Sequence, residues 1–128
     1  MTGPGTFQIQ ESSSGQWLRL TLTGELDRFS TPILEDRLAP LRVARSPVRL
    51  NLSNLGFIDS TGIHLLIQTI GDARMKGWDF ALDQDISTPV LRLLKLVHLD
   101  HFALSSEAVA KSGASRRLRR HAEPADQA

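Results

Sequence analysis

The chain of 128 residues contains no cysteine. That absence excludes a disulfide framework, a thiolate zinc site and a cysteine nucleophile. It also has no excess of one charge: 15 Lys and Arg stand against 14 Asp and Glu, for a formal net charge of +1. Dedicated nucleic-acid binders carry a marked basic surplus, so direct nucleic-acid contact is not expected. No apolar run approaches the roughly 20 residues of a membrane span. The start, Met1–Pro4, has neither the basic residues nor the apolar stretch of a signal peptide. What is present, 41% hydrophobic and 23% charged residues, is a globular composition. The length suits one domain able to bury a core. The expectation is a single domain working in the cytoplasm, with an oligomeric state that composition does not fix.

Charge is unevenly spread. Residues 1–104 hold ten Lys and Arg and eleven Asp and Glu, whereas residues 105–128 hold five and three. The ends have little to bury. Met1–Thr6 is rich in Gly, Pro and Thr, and Lys111–Ala128 has one aliphatic residue larger than Ala, Leu118. Such segments cannot offset the entropy of ordering. The expected organisation is a disordered N-terminus over 1–5, one domain over 6–110 and a disordered charged tail over 111–128. The tail run Arg116-Arg117-Leu118-Arg119-Arg120 has anionic lipid, RNA or an acidic partner as candidate contacts. Because Glu123 and Asp126 follow and dilute it, a solvated tail is the expectation.

Phe7–Glu11 and Trp17–Thr23 alternate apolar and polar residues, the period of half-buried strands, around a Ser12–Gly15 turn cluster. Thr31 and Pro32 fit an N-cap and first helical position. Ile33, Leu34, Leu38 and Leu41 then form a helical face, which Pro40 is expected to kink or end. Val48–Leu52 alternates as a third strand. Ile63, Leu66, Ile67 and Ile70 repeat at helical spacing up to Lys76-Gly77. Trp78–Leu82 reads as a fourth strand, with Trp17 and Trp78 covering core and Asp83 and Asp85 in a solvated loop beyond it. Ser87-Thr88-Pro89 opens a helix carrying Val90, Leu91, Leu94 and Val97. His101–Leu104 reads as a short last strand, and Ser105 or Ser106 as the cap of a terminal helix. Strands alternating with helices predict an α/β fold: a mixed, mainly parallel sheet of about four to five strands, an N-terminal antiparallel hairpin, and helices packed on it. Sites in such sheets gather beyond the carboxyl ends of strands. Gly24–Asp27 and Asp59–Gly62 lie there.

Asp59-Ser60-Thr61-Gly62 opens a helix, and either hydroxyl fits an N-cap. A helix start offers unpaired N–H groups and partial positive charge, which suit a phosphate, bound or attached to the serine. Gly62, without a side chain, leaves room for another backbone or a partner to approach. Taken alone, four residues of this kind read as a capped helix start.

Gly24-Glu25-Leu26-Asp27, Val48–Ser53, Phe57–Ile63 and Ser87–Leu94 together resemble the STAS domain in order and spacing over about residues 7–110. The form they are most similar to is the single-domain bacterial anti-sigma factor antagonist. The resemblance implies a binding protein with no catalysis and no cofactor. Its partner would be an anti-sigma factor that is also a serine kinase of the histidine-kinase-like ATPase fold. Phosphorylation of the motif's first serine, here Ser60, would switch it off, and a phosphatase would restore it. Asp27, Asp59, Thr61, Gly62 and His64 would form the switch and docking surface.

Two positions depart from the pattern. His64 stands where many members carry a second glycine, and Val97-His98-Leu99 stands where Ser-Gly-Leu is common. Other readings stand beside the main one. STAS-like domains also serve as adaptor subunits, in lipid-transport ATPases or signalling scaffolds, without phosphorylation. Ser60 with His64 one turn on invites a serine hydrolase reading, with Asp59 or Asp27 orienting the histidine. No Gly-x-Ser-x-Gly elbow or oxyanion loop accompanies the pair. His98, Asp100 and His101 lack the further well-spaced anchor a metal site needs, and read as a polar strand edge.

Overall fold

The computed structural model describes residues 6–104. Strand β1 (Gln8–Ser14) and strand β2 (Trp17–Leu26) form an antiparallel hairpin with Ser14 opposite Trp17. The turn is only Gly15 and Gln16, and Gly15 has φ 65°. A two-residue hairpin needs positive φ at its first position, which glycine supplies without strain. The three serines expected in the turn therefore belong to β1.

Helix α1 spans Thr31–Ala44, β3 Val48–Ile58, α2 Ser60–Lys76, β4 Phe80–Ile86 and α3 Thr88–Leu96. A 3-10 turn, Asp100–Phe102, leads into the two-residue strand β5, Ala103–Leu104. The sheet order is β1-β2-β3-β4-β5, with every pair after the hairpin parallel. Each crossover steps one strand in the same direction, so α1, α2 and α3 fall on one face of the sheet. Their buried side chains, including Leu34, Leu38, Leu66, Ile70, Val90 and Leu94, join Leu20, Leu22, Leu50, Leu52 and Leu82 in a single core. The predicted class and the hairpin stand. A terminal helix from Ser105 or Ser106 and the tail lie outside the described residues.

Several local expectations change. Ser30, not Thr31, caps α1. Pro40 neither ends nor interrupts α1, which continues to Ala44. Pro40 and Asp36 both face solvent, so the carbonyl deprived of its N–H donor faces water. Ile33 and Ile67 are exposed rather than packed, and Leu65 occupies the core-facing place on α2. Val97 caps α3 and is exposed. Strand β3 runs six residues beyond Leu52, to Ile58. Irregular register against β2 at Thr21/Thr23 and Gly24/Glu25 breaks its alternation, as β-bulges do. Both tryptophans are buried, and Trp78 precedes β4, donating its indole N–H to the Ser46 carbonyl.

Asp83 is not in a solvated loop. It lies within β4 on the face away from the helices, 3% exposed, as is Arg49. Arg49 Nε donates to its Oδ1 at 2.5 Å, Arg19 Nε lies 3.2 Å from its Oδ2, and Asn51 Nδ2 donates to Oδ2 at 2.9 Å. Burial of a charge demands such pairing. Removing one member of a buried pair costs about 3–5 kcal/mol, because the remaining charge stays desolvated. Asp83→Asn should therefore lower unfolding free energy in urea by about 3 kcal/mol; a loss within about 0.5 kcal/mol, the scale of an exposed substitution, would contradict this role.

Candidate functional site

The site grows from two neighbouring strand ends. Leu26 ends β2 and Ile58 ends β3, side by side in parallel register. Each strand is followed by an aspartate and a helix, so Asp27 and Asp59 emerge at the same end of the sheet. The Asp59 N–H donates to the Leu26 carbonyl at 3.1 Å, tying the two exits together.

Asp59 is extended (φ −106°, ψ −173°), and its Oδ1 accepts the Gly62 N–H at 3.0 Å. It is the N-cap of α2, satisfying one of the four unpaired donors of a helix start. The expectation that Ser60 or Thr61 would cap is thus corrected: the carboxylate takes that place and leaves both hydroxyls on exposed residues in the first turn. Gly62 is buried, and the close approach it permits is internal. A Cβ there would stand 2.7 Å from Ile58 Cγ1 and 2.8 Å from the Leu26 carbonyl oxygen. Only glycine lets α2 begin so close to the end of β2.

The β2–α1 loop is held by its own polar groups. Asp27 Oδ1 accepts from the Phe29 N–H at 2.9 Å, the Ser30 N–H at 3.0 Å and the Ser30 hydroxyl at 3.2 Å. That buried hydroxyl shares its one proton with the Glu25 carbonyl, which is closer, at 2.7 Å. Partial burial pushes the Asp27 carboxyl up, but the hydrogen bonds from Ser30, Phe29 and its own loop outweigh this and hold it below its ordinary value. Both Asp27 and Asp59 use Oδ1 for these internal bonds.

Ser60, Thr61 and His64 are exposed, and His64 lies one turn from Ser60 on the same side of α2. Among the described residues no hydrogen bond joins Ser60 to His64, or His64 to a carboxylate. Nor does any group of three His, Cys, Asp or Glu gather there to hold a metal ion. No described helix is long and apolar enough to cross a membrane.

Sequence reasoning missed four apolar residues around this end. Phe57 precedes the Asp59 cap, Phe29 follows Asp27, Ile33 lies in the first turn of α1, and Ile67 is two turns beyond Ser60 on α2. All are exposed, Phe29 to 73% and Phe57 to 46%. Arg28 stacks on the Phe29 ring at 4.8 Å. The signal available was slight: Phe57 falls outside any alternating run, and Ile33, read with the Leu34–Leu38–Leu41 face, proves exposed. Apolar side chains clustered beside polar ones mark contact surfaces.

The chain is thus a small α/β domain with a capped helix start and exposed apolar side chains near it. The family model described as Mlab, STAS domain, matches residues 9–106, and the chain belongs to the STAS domain family. It is 27% identical over 82 residues to an anti-sigma-B factor antagonist of Bacillus subtilis, covering 64% of this chain and 74% of that one. The Staphylococcus aureus anti-sigma-B factor antagonist is 32% identical over 65 residues, covering 50% and 60%. In fold it is similar to Bacillus SpoIIAA in its phosphorylated form, with a TM-score of 0.63, 17% identity and coverage of 84% of this chain and 99% of that one. It is likewise similar to an anti-sigma factor antagonist from Mycobacterium paratuberculosis, with a TM-score of 0.67, 17% identity and coverage of 91% and 99%. Antagonists of this family are regulatory binding proteins rather than enzymes.

Two predictions follow the geometry. Gly62→Ala should cost about 1–3 kcal/mol in denaturant unfolding through overpacking, and should shift the backbone resonances of Leu26 and Asp59; unchanged stability would show that the contact is not tight. The lowered Asp27 carboxyl contributes stability above the ordinary carboxylate value, near pH 3.9. That stability is lost as pH falls through the folded value. The Phe29 and Ser30 amide resonances should move together below about pH 4 and stay fixed in Asp27→Ala. Amides that ignore the titration would remove the carboxylate from the loop.

Proposed function

We propose that the chain is an anti-sigma factor antagonist switched by phosphorylation of Ser60. The observation that carries this reading is an exposed serine in the first turn of α2, beside an aspartate that caps the helix without using the serine hydroxyl. Relatives named as anti-sigma-B factor antagonists support it. So does the likeness in fold to SpoIIAA, solved in phosphorylated and unphosphorylated forms.

In this reading the partner is an anti-sigma factor with serine kinase activity and a histidine-kinase-like ATPase fold. Binding takes place in the cytoplasm and frees the sigma factor. The docking face is Ser60, Thr61 and His64, with Asp27 and Asp59 beside it and Phe29, Ile33, Phe57 and Ile67 as apolar anchors; Gly62 sets the position of α2 beneath. Unmodified Ser60 is a small neutral contact. Transfer of the ATP γ-phosphoryl to its Oγ, with loss of the hydroxyl proton, adds a charge of about −1.5 to −2. The N-terminus of α2 tolerates that charge within the chain. At a desolvated interface, beside two carboxylates, it opposes binding. The fold survives and the complex does not, until a phosphatase hydrolyses the ester.

Incubation with the cognate kinase and ATP, followed by mass spectrometric mapping, should place one phosphate on Ser60 and none on Ser60→Ala. Modification confined to another residue would end the reading. If the tightest protein partner is instead a transporter subunit without kinase activity, the chain is an adaptor and Ser60 is an ordinary contact.

A further inference from the structure

His64 stands exposed one turn after Ser60. From Ser60 to Gly71, helix α2 has no Asp, Glu, Lys or Arg, and His64 is the one residue of that stretch able to carry positive charge. Among the described residues no hydrogen bond or ion pair occupies its imidazole. A neutral imidazole offers one N–H donor and a protonated one offers two. Helix geometry directs those donors at Ser60. Residues four apart lie on one face with Cβ atoms about 5–6 Å apart. Each Cα–Cβ bond tilts toward the helix N-terminus, so the side chain at position 64 leans over the turn that holds Ser60 and Thr61.

The first turn of α2 has few other donors to give. The Gly62 N–H is taken by the Asp59 carboxylate and the Ile63 N–H by the Asp59 carbonyl. That leaves the exposed Thr61 hydroxyl and the N–H groups of Ser60 and Thr61, which lie ahead of the helix's own bonds. The charged groups around this turn are mostly acidic. Asp59 is at the cap, Asp27 at the neighbouring strand exit, and Asp85 near the end of β4. Glu35 of α1 lines a groove with Leu65 and Gln68 of α2. Strand β3 brings no charge from Leu52 to Ile58. The cation of the β2–α1 loop, Arg28, is stacked on the Phe29 ring. A phosphate on Ser60 therefore enters an acidic neighbourhood with one unengaged imidazole on its own helix face.

We infer that His64 is the positioning residue of the phosphorylated state: its imidazole N–H donates to an oxygen of the Ser60 phosphate, which draws the ring out of the docking face. This rests on the reading of Ser60 as the phosphoacceptor and adds to it how the modified state is held. Phosphorylation then alters two contacts at once, placing charge at position 60 and withdrawing His64 from the partner. A hydrogen bond to the charged form favours that form, so the held phosphate stays dianionic to lower pH.

The test uses the full chain with phosphoserine built in at position 60 during translation, so that no kinase is needed. By phosphorus NMR the phosphate should titrate about half a pH unit lower with His64 present than in His64→Ala. His64→Gln, which keeps a side-chain N–H, should recover part of that difference. The His64 imidazole resonances should differ between the phosphorylated and unmodified chains, while those of His98 and His101 stay fixed. The inference is overturned if the phosphate titrates alike with His64 and with Ala, if Gln behaves as Ala does, or if the His64 ring ignores the phosphate. Any of these results leaves the antagonist reading standing, because that reading falls only when the kinase leaves Ser60 unmodified.

Discussion

The start of α2 sits on the carbonyl of Leu26, and the rest of the site depends on that contact. The Asp59 N–H bonds the same carbonyl that leaves no room for a Cβ at position 62. Strand β2 therefore fixes where α2 begins, and β3 fixes its direction through Ile58. The cap at Asp59 then holds the first turn by a bond from Gly62. Ser60 and Thr61 are left exposed on a first turn that is already capped by a neighbouring residue. A modification on such a residue changes what a partner meets without asking the fold to rearrange.

The same economy appears at the neighbouring exit. Asp27 and Ser30 satisfy one another and the backbone between Glu25 and Ser30. The loop that carries Phe29 is thus closed by its own hydrogen bonds although Phe29 is exposed. Pre-formed loops beside apolar side chains lose little entropy on binding. Two aspartates that look alike in sequence, each following a strand end, do the same kind of work in different ways: one caps a helix and the other closes a turn before one.

Much of the fold was legible because its core follows simple periods. Leu18, Leu20 and Leu22, then Val48, Leu50 and Leu52, declare strands, and the repeating α/β order declares parallel pairing. The parts that were not legible have local causes. Bulges along β2 and β3 break alternation, so β3 reads as ending at Leu52 when it runs to Ile58. Asp83 reads as a loop residue because a buried carboxylate is recognisable only once Arg19 and Arg49 are seen beside it, and those partners are more than thirty residues away in sequence. At the site, Ser60 and Asp59 were found from their motif. Their division of labour was not, because a capping serine and a capping aspartate look equally good in sequence. The buried role of Gly62 was hidden for the same reason: a glycine makes room, and sequence does not say for what.

The central claim is that charge at position 60, rather than loss of structure, decides whether the chain binds its anti-sigma factor. Isothermal titration of that partner with wild type, Ser60→Ala and Ser60→Asp tests it most directly, with far-UV circular dichroism confirming the fold of each. The account predicts wild-type affinity for Ser60→Ala and a loss of at least about tenfold, 1.4 kcal/mol, for Ser60→Asp with an unchanged spectrum. Equal affinity for all three proteins would contradict it.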